Sequence, residues 1–385
     1  MAYQIKCFDK IAKCGLDALG EKYSFTDDIA QADVALVRSS SLHEANAGEK
    51  LFAVARAGAG VNNIPVDKFA EKGIVVFNTP GANANAVKEL VIAALLLASR
   101  DIIDGVNWVK TIESDISKTV EKGKKAFAGK EIAGKKLGVI GLGAIGVLVA
   151  NSAISLGMTV YGYDVSLSIE HALALKNNVV AVKSLDEMFA ECDYITVHVP
   201  LLDSTKYLFN AEAFAKMKDG VSIINFSRDL LVNDDDMRAA LASGKVHRYV
   251  TDFPNEKVRE MAGAIVVPHL GASTTESEDN CAVMAVKELM AYVSTGSIKN
   301  SVNFPELDAG SVGEGYRIAV LHKNVPNMIG QFTALLGKKG INIVNMTNKS
   351  KGNNAYTVID TETDPAGIAA ELSAIENVYR VRTIQ

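Results

Sequence analysis

The sequence predicts an α/β protein in which one parallel-sheet domain is inserted into another and a small third domain follows. Three observations lead to this prediction. A strand, a glycine-rich turn and a helix follow one another at residues 135–164, more than a third of the way along the 385-residue chain. Short apolar runs alternate with helical stretches on both sides of this segment, which is typical of parallel sheets. Residues 316–385 then show the order strand, helix, two strands, helix, strand.

The first 134 residues form an α/β unit of their own. Four apolar runs, separated by polar or helical stretches of roughly 10 to 20 residues, are YQIKCF, DVALVRSS, LFAVARAG and IVVFN. A long amphipathic helix from about Ala84 to Asp104 leads out of this unit, and a second, from Thr274 to Thr295, leads back to it. We therefore expect a flavodoxin-like domain at residues 1–92 and 272–304, a domain inserted at 93–271, and a hinge at the two helices.

The inserted domain opens with a turn suited to a dinucleotide. Residues 137–140 predict a buried strand, and three glycines follow in G-x-G-x-x-G spacing before a helix at 144–156: Gly141, Gly143 and Gly146. The first glycine permits a tight turn, the second lets backbone N–H groups approach a pyrophosphate, and the third lets the helix lie close to the strand. The phosphates would bind at the helix N-terminus, where unpaired N–H groups and the helix dipole favour an anion. We therefore predict a Rossmann-type domain.

The next strand indicates which dinucleotide is bound. Residues 159–163 are mostly apolar and lead into Asp164, which lies 23 residues after Gly141 and is placed to accept hydrogen bonds from the ribose hydroxyls of NAD. No Arg or Lys adjoins Asp164, so the 2′-phosphate of NADP would be repelled. Five further apolar runs complete a doubly wound sheet: VVAVKS, CDYITVHVP, VSIINFS, HRYVTDF and AIVVPHL. The predicted cofactor is therefore NAD.

Composition and charge exclude several other classes of protein. The net charge of −5 argues against a general nucleic-acid binder, which needs a basic face. The four cysteines form no C-x-x-C pair and no zinc spacing with histidine, so we expect reduced thiols and no metal: Cys7, Cys14, Cys192 and Cys281. The start MAYQIKCFDK lacks an apolar signal core, and the longest apolar run, LVIAALLLA at 90–98, is too short to span a bilayer. A cytoplasmic protein is expected.

Seven motifs occur in the order that is typical of one enzyme family. They are RAGAGVNNI, NTPGANANAVKE, GLGAIG, HVP, INFSRD, DFPNE and PHLGAST. In this series the chain resembles the D-isomer-specific 2-hydroxyacid dehydrogenases across residues 1–300. The resemblance implies a catalytic set of Arg228, Glu256 and His269. The predicted sheet places these residues at the carboxyl ends of its strands, where ligands bind in open α/β sheets.

These residue types suit the oxidation of a 2-hydroxy acid. A hydride moves from C2 to the nicotinamide while a base removes the hydroxyl proton, and His269 is the candidate base because imidazoles titrate near neutrality. Glu256, hydrogen-bonded to the far ring nitrogen, would orient the imidazole and stabilise its cationic form. Arg228 would hold the substrate carboxylate in a bidentate pair and polarise the reacting oxygen.

The resemblance implies further contacts with the cofactor and the substrate. Beyond the three glycines and Asp164, the expected NAD contacts are Ala144, Ile145, His198, Val199, Pro200, Thr205, Ser227, Thr251, Asp252 and Gly271. Besides Arg228 and His269, the expected substrate contacts are Arg38, Ala57, Gly58, Ala59 and Asn83, with backbone N–H groups around Gly58 and Ala59 donating to the carboxylate. One position departs from the family pattern, because Thr251 stands where an Asp normally meets the nicotinamide ring and Asp252 follows one place later.

The far C-terminus resembles a second known module. We expect a glycine-rich linker at 305–315, which contains SVGEG, and a βαββαβ domain at 316–385. Its segments HKNVPNMIG and GINIVNM resemble an ACT domain, the small amino-acid-sensing module, with Asn327 in place of the usual glycine after the proline. The resemblance implies an L-serine site where two such domains pair, at His322, Asn324 and Asn342. The alternatives are a domain that only holds subunits together, with Asn324 capping a helix and Asn342 satisfying a turn.

An ACT domain attached to this dehydrogenase type implies the oxidation of 3-phospho-D-glycerate to 3-phosphohydroxypyruvate, the first step of L-serine biosynthesis. A doubly anionic phosphate needs cations, and Arg38 lies at a strand end in the first domain. Three lysines would add charge from a neighbouring subunit, or else form a solvated face: Lys122, Lys124 and Lys125. Glycerate, 2-hydroxyglutarate or lactate as the substrate, and a non-catalytic NAD-sensing protein, remain alternatives.

The helix LVIAALLLASR predicts a homodimer or homotetramer. A helix this apolar is expected to be buried on more than one side. The segment that follows it to about Lys125 contains the only tryptophan, Trp108. We expect these two stretches to form the subunit interface, and we expect no nucleic-acid or membrane partner.

Overall fold

The chain forms two compact units. The computed structural model describes residues 2–365 and 367–385. One unit, called here the terminal unit, comprises residues 1–83 and 275–385, and the other, the inserted unit, comprises residues 84–274. Within the described residues, no helix combines the length and the apolar composition that crossing a membrane requires.

The N-terminal part of the terminal unit is built on a five-stranded parallel sheet. Its strands are β1 (Tyr3–Cys7), β2 (Tyr23–Phe25), β3 (Val34–Val37), β4 (Ala53–Arg56) and β5 (Val75–Phe77). Helix α1 (Lys13–Leu16) follows β1, and α2 (Val66–Glu71) connects β4 to β5. The strand order β2-β1-β3-β4-β5 is the flavodoxin-like order, as the sequence predicted.

The inserted unit is built on a seven-stranded parallel sheet. Its strands are β6 (Lys136–Ile140), β7 (Thr159–Tyr163), β8 (Val180–Ala181), β9 (Tyr194–Val197), β10 (Val221–Asn225), β11 (Val246–Thr251) and β12 (Ala264–Val266). Its helices are α3 (Ala84–Ser99), α4 (Ile102–Lys110), α5 (Ile116–Gly123), α6 (Ala144–Ser155), α7 (Ile169–Ala174), α8 (Leu185–Glu191), α9 (Ala211–Lys216), α10 (Asp234–Ala242) and α11 (Glu256–Arg259). The order β12-β11-β10-β9-β6-β7-β8 reverses between β9 and β6, which is the switch point where Rossmann-type domains bind dinucleotides.

The sequence predicted one helix from about Ala84 to Asp104, and this prediction is wrong in its extent. The structure has two helices there, because α3 ends at Ser99 and α4 begins at Ile102. The backbone N–H of Lys130 donates to the Ser99 carbonyl oxygen over 2.9 Å. Between the two helices the N–H of Ile102 donates to the Arg100 carbonyl oxygen over 2.6 Å, whereas a continuous helix would pair it with the carbonyl oxygen four residues earlier. The helical hydrogen-bond pattern is therefore interrupted at residues 100–102.

The chain returns to the terminal unit through α12 (Thr275–Thr295). Its buried face contributes Ala285, Leu289 and Tyr292 to the same hydrophobic core as Ile5 of β1 and Leu36 of β3. Burial of this apolar stripe against the sheet is the main force that holds a long helix in place.

The last part of the terminal unit is a four-stranded antiparallel sheet, called here the C-terminal sheet. It is formed by β13 (Tyr316–Lys323), β14 (Ile343–Lys351), β15 (Asn354–Thr361) and β16 (Val378–Ile384), in the order β14-β15-β13-β16. Helices α13 (Met328–Lys338) and α14 (Ala369–Ser373) complete the predicted βαββαβ order. One face of the sheet packs on these two helices through a core that includes Ile318, Val320 and Phe332.

The other face of the C-terminal sheet packs into the core of the five-stranded part of the same unit, through residues such as Leu321 and Tyr356. The guanidinium of Arg382 lies 4.0 Å from the ring centre of Phe52 and 4.6 Å from that of Tyr292. Arg317, only 1% exposed, forms an ion pair with Asp360 and donates to the carbonyl oxygens of residues 295 and 310. The sheet is therefore joined to the rest of the unit by apolar contacts, by the stacking of Arg382 and by the hydrogen bonds of Arg317.

Candidate active site

The glycine turn of the inserted unit has the geometry that a pyrophosphate requires. Gly141 follows β6 with φ 90°, and a Cβ placed on it would lie 2.5 Å from the carbonyl oxygen of His198. A Cβ on Gly146 would collide with the carbonyl oxygen of Gly141. Only glycine fits either position, and the first N–H groups of α6 are left pointing at the turn. The residues present therefore fit a dinucleotide.

Asp164 lies at the carboxyl end of β7 and is fixed by two backbone bonds. One carboxylate oxygen accepts from the N–H of Leu142 and the other from the N–H of Ser166, each over 2.7 Å. A carboxylate has about four acceptor sites, so both oxygens retain capacity for ribose hydroxyls. The first bond also ties the acid to the glycine turn, which places ribose and pyrophosphate recognition side by side.

The loop after β9 contributes a neutral histidine. The Nε2 atom of His198 lies 3.0 Å from the Thr196 hydroxyl, and its buried Nδ1 has no partner within the described residues. Burial lowers the pKa of His198 to about 3, so the ring is uncharged at neutral pH. Further along, the Thr205 hydroxyl donates to the Pro200 carbonyl oxygen over 2.7 Å and shapes the same loop. The expected cofactor contacts of this loop, which include Val199, are thus held in one ordered segment.

Arg228 follows β10 and is exposed, and a buried asparagine positions it. The Asn225 side chain donates to the Arg228 carbonyl oxygen over 2.8 Å and accepts from the N–H of Ser227 over 3.1 Å. The Ser227 hydroxyl donates to the Val197 carbonyl oxygen of β9 over 2.7 Å. Asn225 was not singled out from the sequence, although an amide inside the apolar run VSIINFS was a usable signal.

His269 follows β12, where its ring meets the edge of Phe253 at 4.9 Å between ring centres. Beside it, Asp252 is only 1% exposed. One Asp252 oxygen accepts from the N–H of Gly271 over 3.2 Å, and the other is buried with no partner among the described residues. Burial raises the pKa of Asp252, and the charge of nearby His269 acts in the opposite direction. The acid thus anchors the segment that carries the imidazole.

Thr251 stands where the family pattern has an Asp, and the structure shows how its side chain is used. The Thr251 hydroxyl is buried, donates to the Asn225 carbonyl oxygen over 2.9 Å and accepts from the N–H of Phe253 over 3.2 Å. Both of its hydrogen-bonding roles are therefore used inside the protein. Asp252 differs in that one of its carboxyl oxygens has no hydrogen-bond partner among the described residues.

Glu256 does not form the expected pair with His269 in this structure. It is the exposed first residue of α11, whose N-terminus is capped by Asn255 accepting from the N–H groups of residues 257 and 258. No hydrogen bond joins Glu256 to His269 within the described residues. Asp252 is the carboxyl group near His269, and the charge of His269 partly offsets the effect of burial on the pKa of Asp252.

The predicted substrate residues of the terminal unit lie at the carboxyl ends of β3 and β4. Arg38 forms an ion pair with Glu278 over 2.6 Å, and its backbone N–H donates to Asp9 over 2.6 Å. Arg56, which the sequence analysis did not select, ends β4 and donates from Nε to the Arg38 carbonyl oxygen over 3.0 Å. The sequence could have indicated Arg56, because it is the first residue of the motif RAGAG. Two guanidinium groups therefore lie at adjacent strand ends.

The loop from Ala57 to Ala59 is held by its neighbours. The Asn78 side chain donates to the Ala59 carbonyl oxygen over 2.6 Å, and the N–H of Thr79 donates to the Gly58 carbonyl oxygen over 3.1 Å. The N–H of Gly58 donates to the Arg56 carbonyl oxygen over 2.9 Å, so it is engaged in a local turn here. Asn83 lies after β5, directly before α3, and is half-buried.

The three expected effector residues lie in different environments. His322 is only 2% exposed, and its ring nitrogens each lie 2.8 Å from a partner, the Lys323 carbonyl oxygen and the Thr357 hydroxyl. Burial lowers the pKa of His322. Asn324 is exposed and donates to the Gly352 carbonyl oxygen over 3.1 Å, while Asn342 is exposed. The imidazole is thus an interior group of the C-terminal sheet.

Comparison with known proteins agrees with this geometry. Residues 92–271 match the family model of the D-isomer specific 2-hydroxyacid dehydrogenase NAD binding domain. D-3-phosphoglycerate dehydrogenase of Haemophilus influenzae is 33% identical over 350 residues, which is 88% of this chain and 82% of that protein. Hydroxypyruvate reductase of Thermotoga maritima is 36% identical over 286 residues, which is 70% of this chain and 87% of that protein.

A solved structure supports the same assignment. The NAD+-bound 3-phosphoglycerate dehydrogenase of Entamoeba histolytica is 27% identical, with a TM-score of 0.62 over 80% of this chain and 100% of that one. The chain therefore belongs to the D-isomer-specific 2-hydroxyacid dehydrogenases and is an NAD-binding oxidoreductase.

Proposed function

We propose that this chain oxidises 3-phospho-D-glycerate to 3-phosphohydroxypyruvate with NAD, the first step of L-serine biosynthesis. The observation that carries the proposal is the extent of the similarity to D-3-phosphoglycerate dehydrogenase. A match over 88% of 385 residues does not fit within residues 1–315, so it includes part of the C-terminal sheet. The match to hydroxypyruvate reductase covers 70% of the chain, which the dehydrogenase portion alone can accommodate.

The charges of the terminal unit support a phosphorylated substrate. Arg38 and Arg56 end neighbouring parallel strands, with Arg56 paired in register with Val37, so their guanidinium groups start from adjacent backbone positions. Guanidinium groups bind phosphate oxygens in bidentate geometry. The carboxylate of Glu278 holds Arg38 in this structure, and a phosphate would exchange for it. The lysine run at 122–125, at and after the end of α5, adds less support, since Lys124 is paired with Glu121 on an exposed face.

The inserted unit supplies the groups for the chemical step. In this proposal His269 accepts the proton of the C2 hydroxyl, and Arg228 holds the substrate carboxylate. Bound NAD supplies the hydride acceptor. Asp252 holds the backbone N–H of Gly271, which fixes the segment that presents the imidazole. Glu256 would complete the set by turning toward His269 when the substrate is bound, as catalytic hydrogen bonds often tighten only in the complex.

The test is a substrate panel followed by NADH absorbance. We expect 3-phospho-D-glycerate to give the highest kcat/KM, above D-glycerate, D-2-hydroxyglutarate and D-lactate. A faster reaction with D-glycerate, or with hydroxypyruvate in the reducing direction, would instead favour a hydroxypyruvate reductase activity, for which the relative that is 36% identical is named. Binding of NAD without turnover of any compound would make the chain an NAD-sensing protein instead.

We also propose that L-serine inhibits the enzyme by binding where two C-terminal sheets pair. The exposed positions of Asn324 and Asn342 support this, since two carboxamides offer donors and acceptors for an ammonium and a carboxylate. The burial of His322 limits that residue to holding the strand from which Asn324 extends. Calorimetric titration of serine into the full chain and into Asn342→Ala is the test. The proposal requires heat with the first and a loss of at least about tenfold in affinity with the second.

A further inference from the structure

A polar cavity that is open to solvent lies in the terminal unit, between the C-terminal sheet and helix α2. Its volume is about 680 Å³. One wall comes from the ends of β13, β14 and β15, and the other from α2 and the segment at 302–303. A cavity of this size is within the range of small-molecule sites. None of the residues placed in the active site or in the serine site lines it except Asn324, whose amide is bonded to the Gly352 carbonyl oxygen.

The wall on the C-terminal sheet carries two lysines in one row. Lys323 of β13 and Lys351 of β14 are both paired in register with Asn354 of the strand between them. Directly opposed residues of antiparallel strands project from the same face, so the three side chains leave the sheet together. This is the face that packs on the rest of the unit, because Leu321 and Tyr356, two residues away on the same strands, are buried there.

The row is held in place by bonds to the opposite wall. The Asn354 side chain donates to the Asn303 carbonyl oxygen over 2.9 Å and accepts from the Tyr379 hydroxyl over 3.1 Å. The ammonium of Lys351 donates to the Ser301 carbonyl oxygen over 2.8 Å. These contacts fix Asn354 and Lys351 against the segment at 301–303.

The opposite wall carries two carboxylates. Asp67 and Glu71 are four residues apart on α2, so they lie on the same face of the helix. Within the described residues, neither acid forms an ion pair, and neither does Lys323. Opposite charges thus line one cavity without touching each other. Apolar side chains complete the lining: Val66, Ala70 and Val325.

We propose that this cavity binds a small zwitterion of the α-amino-acid class, with its carboxylate at Lys323 and Lys351 and its ammonium at Asp67 and Glu71. A simple anion would be repelled by the acidic wall and a simple cation by the lysines, whereas a molecule with both charges satisfies both walls. The apolar residues between the walls offer a place for its side chain. The site needs only one copy of the chain, unlike the proposed serine site.

Occupancy of this cavity would act on the substrate loop. Helix α2 begins seven residues after Ala59, the last residue of the loop expected to hold the substrate carboxylate. Asn303, on the same wall as α2, accepts from the N–H of Val76 over 3.0 Å and so supports β5. A ligand that bridges α2 and the C-terminal sheet would therefore bias the segment between them.

The test is calorimetry on the full-length chain with each standard L-amino acid as the probe. We expect at least one to bind, and its N-acetyl and carboxamide derivatives, which each lack one charge, to bind at least about tenfold more weakly. Lys323→Met, and the double substitution Asp67→Asn with Glu71→Gln, should each weaken binding by a similar factor. The matched controls Lys338→Met and Glu314→Gln, at exposed positions outside the cavity, should leave the affinity unchanged.

Two results would overturn the proposal. One is that no amino acid binds the full-length chain. The other is that a bound amino acid keeps its affinity in both cavity variants, as it would if it occupied the serine site and were lost only in Asn342→Ala. Because the readout is binding heat, a failure here is separate from a failure of the proposed dehydrogenase activity.

Discussion

Glu288 should make the stability of the terminal unit fall as pH rises through neutrality. The residue lies on the buried face of α12 and is only 6% exposed. One carboxyl oxygen accepts from the Asn300 side chain over 2.7 Å, and the other is buried with no partner among the described residues. Burial raises the pKa of Glu288 from 4.5 to about 8, and the Asn300 bond and the charge of Lys299 only partly offset this effect.

The sign and the size of the effect follow from linkage. Below pH 4.5 the group is protonated in both the folded and the unfolded states, so it contributes no pH dependence. Between pH 4.5 and about 8 the unfolded state loses the proton while the folded state keeps it, which costs about 1.4 kcal/mol of stability per pH unit. Above that range both states are ionised and the slope vanishes. The loss attributable to Glu288 between pH 5 and pH 8 is therefore about 4 kcal/mol at most.

Urea denaturation of the full chain and of Glu288→Gln, at pH 5, 6, 7 and 8, tests this reasoning. Glutamine has the same shape and does not ionise, so the variant should gain stability over the original chain progressively as pH rises, by up to about 4 kcal/mol at pH 8. Glu276→Gln, at an exposed position of the same helix, is the matched control and should show no such trend. A difference between Glu288→Gln and the original chain that stays constant with pH would refute the assignment of a raised pKa.

Three further predictions concern catalysis, cofactor choice and assembly. His269→Ala and Arg228→Ala should lose turnover, on the order of 100-fold or more for the base, while fluorescence titration shows NAD still bound, since neither residue lies on the glycine turn. The original chain should prefer NAD in kcat/KM, and Asp164→Ala should narrow that preference; equal values for NAD and NADP in the original chain would contradict the role of the acid. The chain should be at least a dimer by light scattering at micromolar concentration. Val106→Glu should dissociate the dimer, because α4 has no buried residue and exposes a cluster of apolar side chains. A monomeric original chain would contradict the prediction that α4 forms a subunit interface.

Local pattern predicted most of the fold because parallel strands are continuous apolar runs. The exception among the strands is β2 (Tyr23–Phe25), which the sequence did not indicate. It has three residues, lies at the edge of its sheet and leaves Phe25 largely exposed, so it has no apolar pattern of its own. It is a strand because β1 offers it a parallel partner. Its structure comes from a tertiary contact rather than from local sequence.

Some residues of the candidate site could be predicted from sequence motifs, whereas others depend on contacts between strands. The glycine turn and Asp164 were predictable, because chain geometry alone demands them. The engagement of Thr251 was not, since its hydroxyl donates to the carbonyl oxygen of Asn225 on the neighbouring strand. The same holds for Arg56, whose place beside Arg38 results from the pairing of β3 with β4. Side chains that act through strand neighbours leave no signal at a fixed spacing.

The docking of the C-terminal sheet decides how a ligand there can influence the substrate loop. The linker at 305–315 is held near its centre, because Arg317 donates to the carbonyl oxygens of Gly310 and Ser311. A packed route exists instead. It begins at Arg382, which lies on the ring of Tyr292.

Tyr292 in turn lies 5.7 Å from Phe77, measured between ring centres, at the end of β5. The next two residues, Asn78 and Thr79, hold the carbonyl oxygens of Ala59 and Gly58. A close-packed series of this kind transmits a displacement because interiors have little free volume. We therefore expect a ligand that shifts the C-terminal sheet against α12 to displace the loop at 57–59 through these contacts.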